Sequence, residues 1–279
     1  MTIGTGHGPE GRRTRSLRAL AAAGAVVLVG TVAAACGSSP AASSGARSSK
    51  VAVAPTTTAA SAPTTTVASA PTTTSASDVA LANAELLPAS AYPAGWQNQG
   101  PSSTNTQASF FGGAPPSGVA TMAHCLGIDA STVDPNPAEA AAPEYDDPNS
   151  NVTVTESVEV YPTAAAAAAD VHATASPKAP ACMTSIIGNR MSKLSQQGMT
   201  IGKPTITSVS IPAFGASDGA VMVTFPFSYQ GVSGTMYMES IAIQTGRSEA
   251  VLQFSDSQQP PSATVDQLAT AAAANLQAG

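Results

Sequence analysis

The chain has 279 residues, with 11 basic against 17 acidic side chains, a formal net charge of −6 and three cysteines. An acidic balance of that kind supplies no attraction to nucleic-acid phosphates or anionic lipid headgroups, which argues against nucleic acid as a partner. The order of the elements along the chain carries the rest.

Four arginines (Arg12, Arg13, Arg15 and Arg18) precede an uncharged run of 17 residues from Ala19 to Ala35. A charged start, an apolar middle and small residues at the end predict a secretory signal peptide over residues 1–35. The run falls short of the about 20 apolar residues that a spanning helix needs, and no positive stop-transfer cluster follows it. Arg12-Arg13 suggests twin-arginine export, but Thr14, Arg15 and Ser16 fit the general secretion route better. Removing these residues takes away four arginines and Glu10. The exported part then holds seven basic and sixteen acidic residues, a net charge of −9.

The segment Val32-Ala33-Ala34-Ala35-Cys36 resembles the lipobox of bacterial lipoproteins, with Ala33 where that family usually has a large aliphatic residue. The resemblance implies a thioether-linked diacylglyceryl group on Cys36 and an acyl chain such as palmitate on its new α-amine. Several chains at about 0.8 kcal/mol per buried CH2 make such an anchor effectively permanent. The protein is then expected in the lipid bilayer of the cell membrane, on its extracytoplasmic face. The alternative is ordinary cleavage after Ala33-Ala34-Ala35, which leaves a free secreted protein.

From Cys36 to Ser77 the composition narrows to Ala, Ser, Thr, Pro and Gly, and Ala-Pro-Thr-Thr-Thr recurs at 54–58, 62–66 and 70–74. Nothing there fills a core, so residues 36–77 are predicted to be an extended, disordered tether. One globular domain is predicted over 78–279, long enough for a single well-buried core. It opens with a short helix over Leu81–Leu87, stopped by Pro88, and a turn at Tyr92-Pro93-Ala94-Gly95-Trp96. Residues 97–116 and 129–150 read as loops, the second acidic and broken by Pro135, Pro137, Pro143 and Pro148. Between them Val119–Leu126 reads as a helix with Gly127 as its stop.

Val152, Val154, Val158 and Val160 alternate with Thr153, Thr155, Ser157 and Glu159, a half-buried strand. An alanine-rich helix follows, then a second helix placing Met183, Ile186, Ile187, Met191 and Leu194 at helical spacing. Strands near 203–211, 219–229, 233–245 and 248–255 come next. A last helix over 262–277 aligns Val265, Leu268, Ala269, Ala272 and Leu276. The expected fold class is therefore α+β, a mainly antiparallel sheet of about five strands with packed helices.

Cys125 and Cys182 are an even pair in an exported domain and are predicted to form a disulfide, a crosslink worth about 2–4 kcal/mol. A catalytic thiol using the adjacent His124 has poor geometry, because neighbours on a helix point about 100° apart. No phosphate loop, Gly-x-Ser-x-Gly elbow or His-Glu-x-x-His occurs, so neither an enzyme nor a cofactor is expected.

Two carboxylates interrupt apolar faces. Glu156 shares a face with Val154 and Val158, and Glu239 shares one with Tyr237, Ile241 and Ile243. Each either meets solvent, is turned outward by a bulge, or stands in the wall of a cleft. Phe225, Phe227 and Tyr229, on the strongest apolar face of the chain, are the other candidate cleft residues. Pro226 between the phenylalanines predicts an edge strand or a bulge.

The Leu86-Leu87…Tyr92-Pro93-Ala94-Gly95-Trp96 opening, the helix-borne cysteine pair and the element order resemble actinobacterial envelope lipoproteins of the PsbP-like fold, which include PknH-type extracellular sensor domains. The resemblance implies a non-catalytic domain whose cleft accepts an apolar ligand or an envelope protein. The alternatives are a purely structural or interaction protein of the envelope and, further off, a secreted enzyme.

Overall fold

Pairing among strands of the C-terminal half builds the frame. The computed structural model describes residues 75–101, 116–130, 136–184, 199–229 and 231–278. The signal sequence, Cys36 and the tether up to Thr74 lie outside these residues, as do Ile186, Ile187, Met191 and Leu194.

The strands are β1 (Gln97–Pro101), β2 (Ala138–Ala141), β3 (Pro143–Asp146), β4 (Thr153–Val160), β5 (Met199–Ile201), β6 (Thr205–Ser208), β7 (Ser217–Tyr229), β8 (Val232–Thr245) and β9 (Ser248–Asp256). They form one sheet in the order β1-β3-β4-β9-β8-β7-β5, with β2 also on β4 and β6 also on β7. Every pair is antiparallel. The helices are α1 (Ala76–Glu85), α2 (Pro116–Leu126), α3 (Ala164–Ala175) and α4 (Ser262–Ala278), with a further helical turn over 179–184. The class is α+β, as the sequence predicts.

The long strands follow from their patterns. β8 turns into β9 through Gly246-Arg247, with Gly246 at φ 59°. A two-residue hairpin needs this left-handed conformation to match the strand twist. The register then runs unbroken from Thr245↔Ser248 to Tyr237↔Asp256. β9 pairs with β4 along its other edge, from Thr153↔Ser255 to Val160↔Ser248.

Both faces of this central part are covered. On one, Val154, Val158, Leu252, Phe254, Ile241 and Ile243 pack under Val265, Leu268, Ala272 and Leu276 of α4. α1 lies beside α4 over β2 and β4. Its N-terminus is capped by Ser75 Oγ, which accepts the Asp78 N–H at 3.0 Å. At its other end, Asn275 of α4 donates to the carbonyls of Glu85 and Leu86 at 2.6 and 3.0 Å, satisfying groups a helix end leaves open.

On the opposite face α3 crosses β7, β8 and β9, and Val171 packs against Ala242 and Val251. The approach is close. A Cβ on Gly219 would lie 2.9 Å from the Ala175 nitrogen and 3.0 Å from the Val171 oxygen. Farther along this face Val223, Phe225, Phe227, Met236, Met238 and Ile206 form a second apolar cluster, with Met183 packed on it. Beside α3, α2 ends at Gly127 (φ 77°) and is tied to the 179–184 turn by the predicted disulfide, Cys125–Cys182, with Cα atoms 5.9 Å apart. Among the described residues no helix is long and apolar enough to cross a membrane.

Four expectations change. The sheet has nine strands rather than about five, because the stretches read as loops contain β1, β2 and β3, and β5 precedes the strand predicted from 203. Segments of three to five residues carry too few positions to show a period. Pro143 is compatible with β3 because it opens the strand, where a missing N–H is tolerated. β4 is not half-buried: Ser157 and Glu159, on the face that alternation assigned to solvent, are 4% and 0% exposed. Pro226 lies in neither an edge strand nor a bulge. Its register with Thr235 is regular, and its carbonyl accepts the Gly202 N–H at 2.7 Å. The N–H it lacks therefore faces the gap between β6 and β5, where no ladder bond is lost.

Val221, Val223, Phe225 and Phe227 share one buried face, as their alternation requires. Phe225→Ala is expected to cost about 3–5 kcal/mol of stability, measured by urea denaturation. A loss below about 1 kcal/mol would contradict the core placement.

Candidate functional site

The chemistry-bearing side chains of this domain are carboxyl groups that the sheet carries indoors. Glu156 enters through β4 on the face covered by α1 and α4, and it is 2% exposed. Its ladder partner is Leu252, with no bulge. The chain before β1 wraps over it: Glu156 Oε2 accepts the Leu87 N–H at 3.0 Å. Tyr92 comes next to it and stacks on Tyr145 with ring centroids 3.7 Å apart, while Trp96 stands 6.4 Å from Tyr92. Gly95, at φ 96°, lets the chain turn between them. The Leu87…Tyr92-Pro93-Ala94-Gly95-Trp96 segment thus encloses a carboxyl group.

Enclosure sets its acidity. Burial pushes Glu156 up to about 8, against the opposing hydrogen bond from the Leu87 N–H. Tyr92 in turn is raised, by burial first and by the neighbouring Glu156 second. Glu239, 5% exposed on the same face of β8, is raised by burial and by Asp266 of α4.

Phe225 and Phe227 stand on the other face. The register places Val223 opposite Met238 and Phe225 opposite Met236, whereas Glu239 faces Met222. Both phenylalanines are buried and Tyr229 is half-buried. Glu156 and Glu239 therefore share one side of the sheet, and Phe225, Phe227 and Tyr229 share the opposite side. The structure does not bring the five together.

A second group went unread in the sequence. Glu159 of β4 and Glu249 of β9 are register partners on the face under α3, and Asp170 of α3 completes the cluster. Their exposures are 0%, 0% and 1%. The Tyr161 hydroxyl donates to Glu159 Oε2 at 2.8 Å. The available signal was weak. Asp170 falls at helical spacing with Ala167, Val171 and Thr174, all buried, but a run of alanines hides which side of a helix is apolar.

His124 and His172 are exposed. His172 Nε2 lies 3.5 Å from Ser217 Oγ, at the outer limit of a hydrogen bond. Among the described residues no group of His, Cys, Asp and Glu side chains is arranged to hold a metal ion.

No protein-family model matches the chain and no curated protein matches it. Among solved structures it is similar to the extracellular domain of PknH from Mycobacterium tuberculosis, with 13% identity and a TM-score of 0.36 over 71% of this chain and 95% of that one. A likeness this distant carries no argument about function.

A carboxyl group whose folded value lies above its ordinary 4.5 holds a proton that the unfolded chain gives up. Its contribution to stability is complete below that ordinary value and is lost as pH rises through about 8. Over that window Glu156 lowers stability by at most about 1.4 kcal/mol per pH unit. Glu156→Gln keeps an acceptor for the Leu87 N–H and removes the titration, so its urea midpoint should fall less than the parent's between pH 5 and 8. Superimposable profiles would refute the assignment.

Proposed function

We propose that this protein is an exported, lipid-anchored component of the cell envelope, with one non-catalytic α+β domain that works by binding an envelope partner. The observation that carries the reading is the Cys125–Cys182 disulfide, since such bonds persist in oxidising compartments outside the cytoplasm. Its place downstream of a charged-apolar signal and a cysteine following Ala33-Ala34-Ala35 agrees with an anchor at Cys36.

Binding through the outer surface is favoured over uptake of an apolar ligand between strands. Phe225 and Phe227, the best candidates for a greasy wall, are 4% and 7% exposed. Glu156 lies beneath Leu87 and beside Tyr92, closed over by the chain's own backbone.

Cys36→Ala is expected to move the protein from the membrane fraction to the soluble exported fraction. Retention in membranes after a carbonate wash would refute the anchor. Mass spectrometry of the natively purified protein tests the mode of binding, and an apolar small molecule at one equivalent would replace the partner reading with the ligand reading.

A further inference from the structure

Beyond the reach of α4 the sheet keeps an open face. β5 and β6 lie end to end along one edge of β7, and β8 runs along the other, so the sheet there is three strands wide. Side chains alternate cleanly across it. Ile206, Phe225 and Met236 enter the apolar cluster on the α3 side. The residues between them emerge on the side of α4, whose cover ends where Asp266 neighbours Glu239.

Hydroxyl groups dominate the open face. One row across the strands is Thr205, Thr224 and Tyr237, and another is Thr200, Ser228 and Ser233. Between these rows Pro226 stands opposite Thr235. Every one of these residues is exposed or half-buried, and among the described residues no other side chain holds their hydroxyls. The join between β5 and β6 stays low. A Cβ on Gly202 would lie 2.4 Å from the Pro226 Cγ, so nothing rises there beside the proline ring. Strand spacings make the strip about 10 Å wide and, from Thr224 to Ser228, about 14 Å long.

Its chemistry selects among partners. None of its strand positions is charged, with Lys203 in the join the one cation close by in sequence. The carboxyl groups at its border, Glu239 and Asp256, are 5% and 3% exposed. In a chain with 17 acidic and 11 basic residues, an anionic partner is repelled and a cationic one is drawn to carboxylates elsewhere. A protein partner would seek large anchors in pockets, and the strip offers only Tyr237 on an open surface. What it does present is hydroxyls that both donate and accept. Beside them stand two apolar rings, Pro226 and Tyr237, which are diagonal neighbours about 7 Å apart. A sugar carries the matching pair of features, C–H faces and hydroxyl edges, without charge.

We propose that this strip is a binding face for a neutral polysaccharide of the cell envelope, laid along β7. Its hydroxyls meet the threonines and its ring faces rest on Pro226 and Tyr237. The inference deepens the envelope-partner reading and rests on it.

Affinity electrophoresis of the full chain through native gels containing mannan, galactan, arabinan or glucan tests this. At least one of these neutral polymers should retard it, and anionic polygalacturonate should not. Thr224→Val combined with Thr235→Val keeps the β-branched shape that suits a strand and removes two hydroxyls. That variant should bind at least about tenfold more weakly, and Tyr237→Ala serves if the pair does not fold. Absence of retardation by every neutral polymer, or equal retardation of the variant, overturns the proposal. So does equal retardation by polygalacturonate. A wild-type dimer in sedimentation that the variant lacks also overturns it, because the occupant is then a second copy. Membrane fractionation separates the two readings. A chain that binds polymer but fractionates with the cytosol sinks the envelope reading alone, and a membrane-bound chain that no polymer retards sinks this inference alone.

Discussion

Strand β9 is bonded along both edges and covered on both faces, and the rest of the domain depends on that double enclosure. Each residue of β9 has a partner on β4 or β8, and every one but Gln253 is buried. A strand in that position has no solvent-facing row on which to place polar groups. Yet β9 carries Glu249 and β4 carries Glu156 and Glu159, all with 2% exposure or less. Burial of a carboxylate favours its neutral form, and it holds Glu156 and Glu249 above the usual carboxylate range. Only one ion pair, Arg247–Asp78, occurs among the described residues.

The two covers on the sheet are built differently. α4 meets it with Val265, Leu268 and Leu276, large side chains over Ile241, Leu252 and Phe254, with Asp266 near Glu239. α3 meets it with alanine, one valine and Asp170, and compensates for small side chains by close backbone approach at Gly219.

The enclosure also bears on function. A cleft wall needs apolar or polar groups left uncovered, and the residues with the chemistry for one are covered here. Exposed large hydrophobic side chains among the described residues are limited to Val79 and Val232, which lie far apart in sequence and make no patch by themselves.

The sequence by itself determined the elements whose signals are local. Alternation located β4, β7, β8 and β9 to within a few residues, and helical spacing located α4 with all five of its aligned core positions. The pairing of Cys125 with Cys182 was legible because an even pair of cysteines in a domain expected to be exported has few alternatives. Tertiary structure decided what depends on neighbours distant in the chain. A period of two states which residues share a face, but not whether a helix lies over the second face, so Glu159 read as solvated and is fully buried. The meeting of Glu159 with Glu249 depends on strand register, and that of Asp170 with both depends on where an alanine helix settles. Neither leaves a local trace, because the free energy that fixes them is gained only when the sheet and its helices close together.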